Sequence, residues 1–136
     1  MENVEAKVGR YTITLDKTAS FNGISFKYPS NAVSSNVGTY SIIDYMDGNN
    51  LVVRVATYFF DMKKPYEVMA DSSLTETSTM SVNDKEWTVY EGVQDDKQVT
   101  TLVLYYNSST YTITFLSDYN ITEFMNTFIA SIEYDF

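Results

Sequence analysis

Carboxylates are the only plentiful side chains in this sequence able to carry acid–base chemistry, and three close pairs stand out. Asp44 and Asp47 flank a "DGNN" turn, Asp95 and Asp96 are adjacent, and Glu67 and Asp71 lie one helical turn apart. A glycoside hydrolase needs two carboxyl groups held across a cleft at a defined separation. Neighbouring residues in a turn do not supply that, so these acids read as solvated turn and helix-surface groups. No catalytic residue is assigned.

The stretch "DYMDGNN", Asp44 to Asn50, also invites a calcium reading, because hard cations gather oxygen ligands around a glycine turn. It lacks the D-x-[DN]-x-[DN]-G spacing and the distal bidentate Glu. A hairpin turn accounts for the same residues, so no metal site is assigned and no cofactor is expected. Arg54 stands out for another reason. A cation in an otherwise apolar strand needs a paired carboxylate or a bound anion. A structural salt bridge is the expected answer. Arg54 is the first residue to test, no ligand-binding residue being otherwise assigned.

The tyrosines offer a different kind of chemistry. Tyr58, Tyr90 and Tyr106 fall on predicted strands, and Tyr105 points to the face opposite Tyr106. A large ring with a polar tip suits interfaces and sugar stacking. Packing beneath covering helices is the competing explanation for any one of them. Asn107-Ser108-Ser109 and Asn120-Ile121-Thr122 match the N-glycosylation pattern, which is too short and frequent to assign.

The sequence contains no His and no Cys. The commonest general base near neutral pH is therefore missing, as is the commonest transition-metal ligand. Ser-His-Asp and Cys-His catalysis are excluded, together with disulfides and thiolate zinc sites. Net charge is −9, and the adjacent basic pair, Lys63-Lys64, reads as solvated loop. A polyanionic nucleic acid would be repelled by such a surface, and an anionic lipid surface finds no basic face.

The elements that must position these residues are mostly period-two strands. "YTITL" and "ISFKY" alternate apolar and polar residues, "DKTASFNG" between them reads as turn or loop, and "PSNAVSSNVG" after Pro29 reads as loop. "YSIIDYM" and "LVVRVATYFF" flank the "DGNN" hairpin turn. The spacing of Tyr66, Met69, Ala70 and Leu74 predicts a helix in "KKPYEVMADSSL", and "TETSTMSVNDKEW" reads as a polar connection. A three-stranded meander follows through "WTVYEGV", "VTTLVLYY" and "YTITFL". A final helix carries the stripe Ile121, Phe124, Met125, Phe128 and Ile132, with Asn120 and Glu123 at capping-box spacing. Tyr119 and Phe124 fit a hydrophobic staple across that start, and "IEYDF" follows as a short strand or tail. Together these predict one α+β domain over residues 1–136: an antiparallel sheet with helices packed on its faces. Residues 1–10 read as a flexible lead-in, or as one added to the natural chain.

"GISFKYPSN", "YTITF" and the ending "FMNTFIASIEYDF" resemble the PsbP-like superfamily. Ser25, Phe26, Tyr28 and Pro29 carry its strand end, Tyr111, Ile113 and Phe115 its second motif, and Ser131, Ile132 and Tyr134 its third. The resemblance implies an α/β/α sandwich and a bacterial exported domain of the DcrB type, anchored through a lipid or secreted. Any signal segment and lipid-bearing Cys would lie upstream of this sequence. The expected function is a non-enzymatic interaction module for another envelope protein, touching membrane only through that anchor. A cytosolic adaptor holding a basic protein partner through its acidic surface is the alternative. A carboxylate-based hydrolase is the third reading, and it requires an acid with a raised pKa in a cleft.

Overall fold

The computed structural model describes residues 4–37, 39–61, 74–94 and 96–135. In chain order the elements are β1 (Val4–Val8), β2 (Tyr11–Leu15), β3 (Lys17–Phe21), β4 (Ile24–Tyr28), β5 (Val33–Val37) and β6 (Tyr40–Asp47). There follow β7 (Asn50–Asp61), β8 (Thr75–Val82), β9 (Lys85–Gln94), β10 (Lys97–Tyr106), β11 (Ser109–Ser117), α1 (Thr122–Ala130) and β12 (Glu133–Tyr134). The predicted helix in "KKPYEVMADSSL" and the Lys63-Lys64 pair lie outside the described residues.

These strands form three antiparallel sheets: β1-β2, β12-β4-β3, and a seven-stranded sheet in the order β5-β6-β7-β11-β10-β9-β8. Strands take 71% of the described residues and the single helix among them 8%. The expected α+β architecture, with helices on the sheet faces, is therefore overturned, and with it the α/β/α sandwich. The chain builds a mostly-β fold.

The reason lies in the edges. Segments rich in Ser and Thr, without apolar alternation, look like loops in sequence, yet a strand paired on one side needs little apolar content. β5, read as loop, is the edge strand beside β6, and β8, read as polar connection, is the opposite edge beside β9. β3 pairs with β4 across Asn22-Gly23, both at positive φ, the combination that a two-residue hairpin turn favours. Val4–Val8, expected to be flexible, pairs with β2 and buries Ala6 and Val8 completely.

The seven-stranded sheet turns one face to the core. Phe115 on β11 meets Phe128 of α1 edge-to-face at 5.4 Å, and Phe128 meets Phe26 of β4 at 5.1 Å. One phenylalanine cluster thus joins the large sheet, the helix and the three-stranded sheet. Each fully buried ring contributes about 1.5–3 kcal/mol. Trp87, also fully buried, donates its indole N–H to Tyr134 Oη at 2.8 Å. That hydroxyl donates in turn to the Val82 carbonyl at 2.8 Å, fastening β12 to the end of β8.

The helix begins differently from the sequence expectation. Asn120 Oδ1 accepts the Thr122 N–H at 3.0 Å, but Asn120 stands one residue before the N-cap position, which Ile121 fills without a side-chain cap. Glu123 does not complete the box: its carboxylate accepts the Lys7 N–H of β1 at 2.7 Å. Tyr119 meets Tyr11 edge-on at 5.5 Å, while Phe124 lies among Phe115 and Phe128.

Candidate functional site

The outer face of the seven-stranded sheet, opposite the core, holds the candidate site. Cross-strand register places Arg54 beside Leu116 beside Val99, and Tyr58 beside Thr112 beside Val103. Between these rows lie Ala56, Thr114 and Thr101. Side chains at alternate positions of paired strands stand side by side on one face. A row of short side chains between longer ones therefore leaves a depression. It measures about 310 Å³, at the small end of the range for ligand pockets.

The polar groups here are mainly hydroxyls. Thr101 and Thr114 hydrogen-bond to each other through their hydroxyls at 2.9 Å, with Thr101 only 2% exposed. Along one side runs a row of half-buried rings: Tyr40 and Tyr58 have centroids 5.9 Å apart, and Tyr58 and Phe60 lie 6.1 Å apart and nearly parallel. Arg54 closes one end. Its Nε and one terminal nitrogen donate to the two carboxylate oxygens of Asp44 at 2.6 and 2.9 Å, a bidentate fork between directly opposed residues. The Asp44 hydrogen bonds hold the guanidinium above its ordinary range, so the charge at the rim is paired.

A larger groove of about 980 Å³ runs beside α1, and several of its polar groups are engaged in holding the helix. Glu123 holds the Lys7 N–H, and the Ser131 hydroxyl accepts the Lys27 N–H at 3.0 Å while donating to the Phe128 carbonyl. Thr127 donates to the Glu123 carbonyl at 2.8 Å. The bonds from the Lys7 and Lys27 N–H groups seat the helix on β1 and β4. The groove is a structural seam.

The carboxylates singled out from sequence are not gathered. Asp44 pairs with Arg54, the salt bridge expected for that cation. Asp47 accepts the Tyr11 hydroxyl at 2.8 Å, and Asp96 sits exposed at positive φ in the β9–β10 turn. Asp95, Glu67 and Asp71 lie outside the described residues. Among the described residues no group of three or more acids, His or Cys could hold a metal ion. The "DGNN" turn is a hairpin turn, with Gly48 at positive φ.

The tyrosines divide between the faces. Tyr58 lines the depression, and Tyr90 is half-buried further along the outer face, where burial pushes its phenol above the ordinary value. Tyr105 and Tyr106 are 41% and 38% exposed on opposite faces, with the Lys85 ammonium 4.4 Å from the Tyr106 ring centre. Asn107 and Ser108 form the β10–β11 turn at positive φ, and Asn120 immediately precedes the N-cap residue of α1. Sequence reasoning missed Ala56, Thr101 and Thr114. The signal was register: only the pairing of β7, β11 and β10 brings these three into one row.

No family model matches the chain, and no curated protein matches it. Among solved structures, a protein of Bacteroides thetaiotaomicron VPI-5482 shares the fold, with a TM-score of 0.52 at 11% identity. The match covers 82% of this chain and 44% of that protein, so this chain corresponds to less than half of its neighbour's length. No helix among the described residues is long and apolar enough to cross a membrane. The likeness to the Bacteroides protein is one of fold alone.

Proposed function

We propose that this chain is a non-catalytic binding domain whose ligand sits in the depression over Ala56, Thr114 and Thr101. The character of the lining carries this reading. It combines aromatic and aliphatic walls with hydroxyls, and its cation, Arg54, is neutralised by Asp44. The carboxylate at the rim, Asp44, is taken up by Arg54, and among the described residues the lining's remaining titratable side chain is the Tyr58 phenol. Thr hydroxyls, a phenol and a paired guanidinium are groups suited to recognition. The recurrence of the fold within a longer Bacteroides chain suits a module joined to other parts. An exported setting is part of the same proposal, and a cysteine-free chain fits it as well as it fits a reducing cytosol.

The test is an amide shift map of the labelled protein against a mixed set of small neutral, anionic and cationic compounds. Binding at the depression moves the amides of Arg54 to Tyr58 and Thr112 to Leu116. Shifts confined to Asn120–Ala130 would move the site to the helix groove and overturn the assignment.

A further inference from the structure

We infer that the depression takes a neutral saccharide, seated on its hydroxyls and walled by Tyr58; this rests on the binding reading above. Three features of the lining narrow the ligand's chemistry. The first is charge. Arg54 and Asp44 satisfy each other in a bidentate fork, so an anion would have to displace Asp44 and a cation would meet a guanidinium. A ligand without charge disturbs neither.

The second is the character of the polar groups. Thr112 and Thr114 offer hydroxyls, with the buried Thr101 behind Thr114, and Gln94 offers an amide, each able both to donate and to accept. Where the Thr101 and Thr114 hydroxyls bond to each other, one proton closes the pair. The remaining proton and lone pairs suit a partner that also donates and accepts at one atom. Ligand hydroxyls do so.

The third is the alternation of apolar and polar lining. Leu116 and the rings of Tyr58 and Phe60 present C–H and aromatic surface next to the hydroxyls, over a floor of Ala56 and Val99. A pyranose has the matching character, with C–H faces and a hydroxyl rim. A free polyol chain lacks the first and a hydrocarbon lacks the second. At about 310 Å³ the space accommodates one or two sugar rings and not a folded protein segment. The row Tyr40, Tyr58, Phe60 extends from it over the sheet, a path for the next rings of an oligosaccharide.

The experiment titrates the labelled full chain with neutral mono- and oligosaccharides of hexoses, pentoses, deoxyhexoses and N-acetylhexosamines, up to their solubility limits. Uronic-acid and sulfated oligosaccharides and a set of non-saccharide aromatic compounds serve as comparison. The expected result is saturable shifts at Ala56, Thr112 and Thr114 with at least one neutral sugar and none with the charged ones. Tyr58→Ala weakens that binding at least tenfold. Thr114→Val weakens it several-fold while Thr114→Ser retains it, a contrast that survives if the tyrosine variant folds poorly. Saturable binding of aromatic compounds at the same amides, with no sugar binding, would overturn the saccharide assignment and leave the binding site standing. Sugar shifts located elsewhere, or unaffected by both Tyr58→Ala and Thr114→Val, would also overturn it.

Discussion

The Glu123 carboxylate accepts the backbone N–H of Lys7 at 2.7 Å, tying the first turn of α1 to the free edge of β1. The same turn is held a second time where the Gly9 N–H donates to the Asn120 carbonyl at 3.0 Å. An edge strand with unpaired N–H groups is a template for unwanted pairing. Here the helix end occupies that edge. Glu123→Ala is expected to cost about 1 kcal/mol, as for other single hydrogen bonds to a charged group at an element end, with Glu123→Gln in between. Urea unfolding of the three proteins checks the order.

Gly9 makes the β1–β2 turn possible on two counts. Its φ is +56°, and a Cβ there would lie 3.0 Å from the Tyr119 ring. Gly9→Ala should therefore destabilise by about 1–2 kcal/mol, combining the left-handed strain with the displaced ring. Pairing it with Tyr119→Ala relieves the ring contact alone, leaving the left-handed strain and the 3.2 Å approach to the Cβ of residue 119. A thermal midpoint unchanged by Gly9→Ala would contradict both.

The chain of bonds from Trp87 to Tyr134 to Val82 closes the C-terminus onto the β8–β9 hairpin. Burial pushes the Tyr134 phenol above its ordinary value, with the Trp87 N–H pulling the other way. Tyr134→Phe strands a fully buried indole N–H, for an expected cost of about 1–3 kcal/mol. Against a Trp87→Phe background the same change should cost less, and a double-mutant cycle by denaturant unfolding measures the difference.

Asp16 links the end of β2 to the loop after Pro29. It accepts the Ser30 hydroxyl at 2.6 Å and the Ser30 N–H at 2.7 Å, and these bonds hold its carboxyl below the ordinary value of 3.8. A depressed folded-state pKa contributes stability above the unfolded value and loses it as pH falls through the folded value. A carboxyl-detected titration should find the Asp16 midpoint below 3.8, and Ser30→Ala should raise it. A midpoint unmoved by Ser30→Ala would assign the shift to another cause.

Strands with apolar alternation were readable from the sequence, because each buries one face: β2, β4 and β6 show Ile13, Phe26 and Ile43 on the core side. The stripe of Phe124 and Phe128 likewise announced α1. Edge strands were not readable. The β8 sequence Thr75–Val82 is exposed over most of its length and owes its form to backbone pairing with β9. The Arg54–Asp44 bridge was anticipated in kind, since a cation in an apolar strand demands a partner. Identifying that partner required the β6–β7 register, which a bulge shifts between Tyr45 and Met46. The depression was invisible for the same reason: Ala56, Thr101 and Thr114 are far apart in sequence, and short side chains give no signal until register aligns them.

The amide shift map on adding a neutral oligosaccharide that binds, with the sugar analysed afterwards, tests the central claim most directly. The account predicts shifts centred on Arg54–Tyr58 and Thr112–Leu116, and a sugar recovered unchanged. Shifts centred on α1, or a sugar returned cleaved, would contradict it.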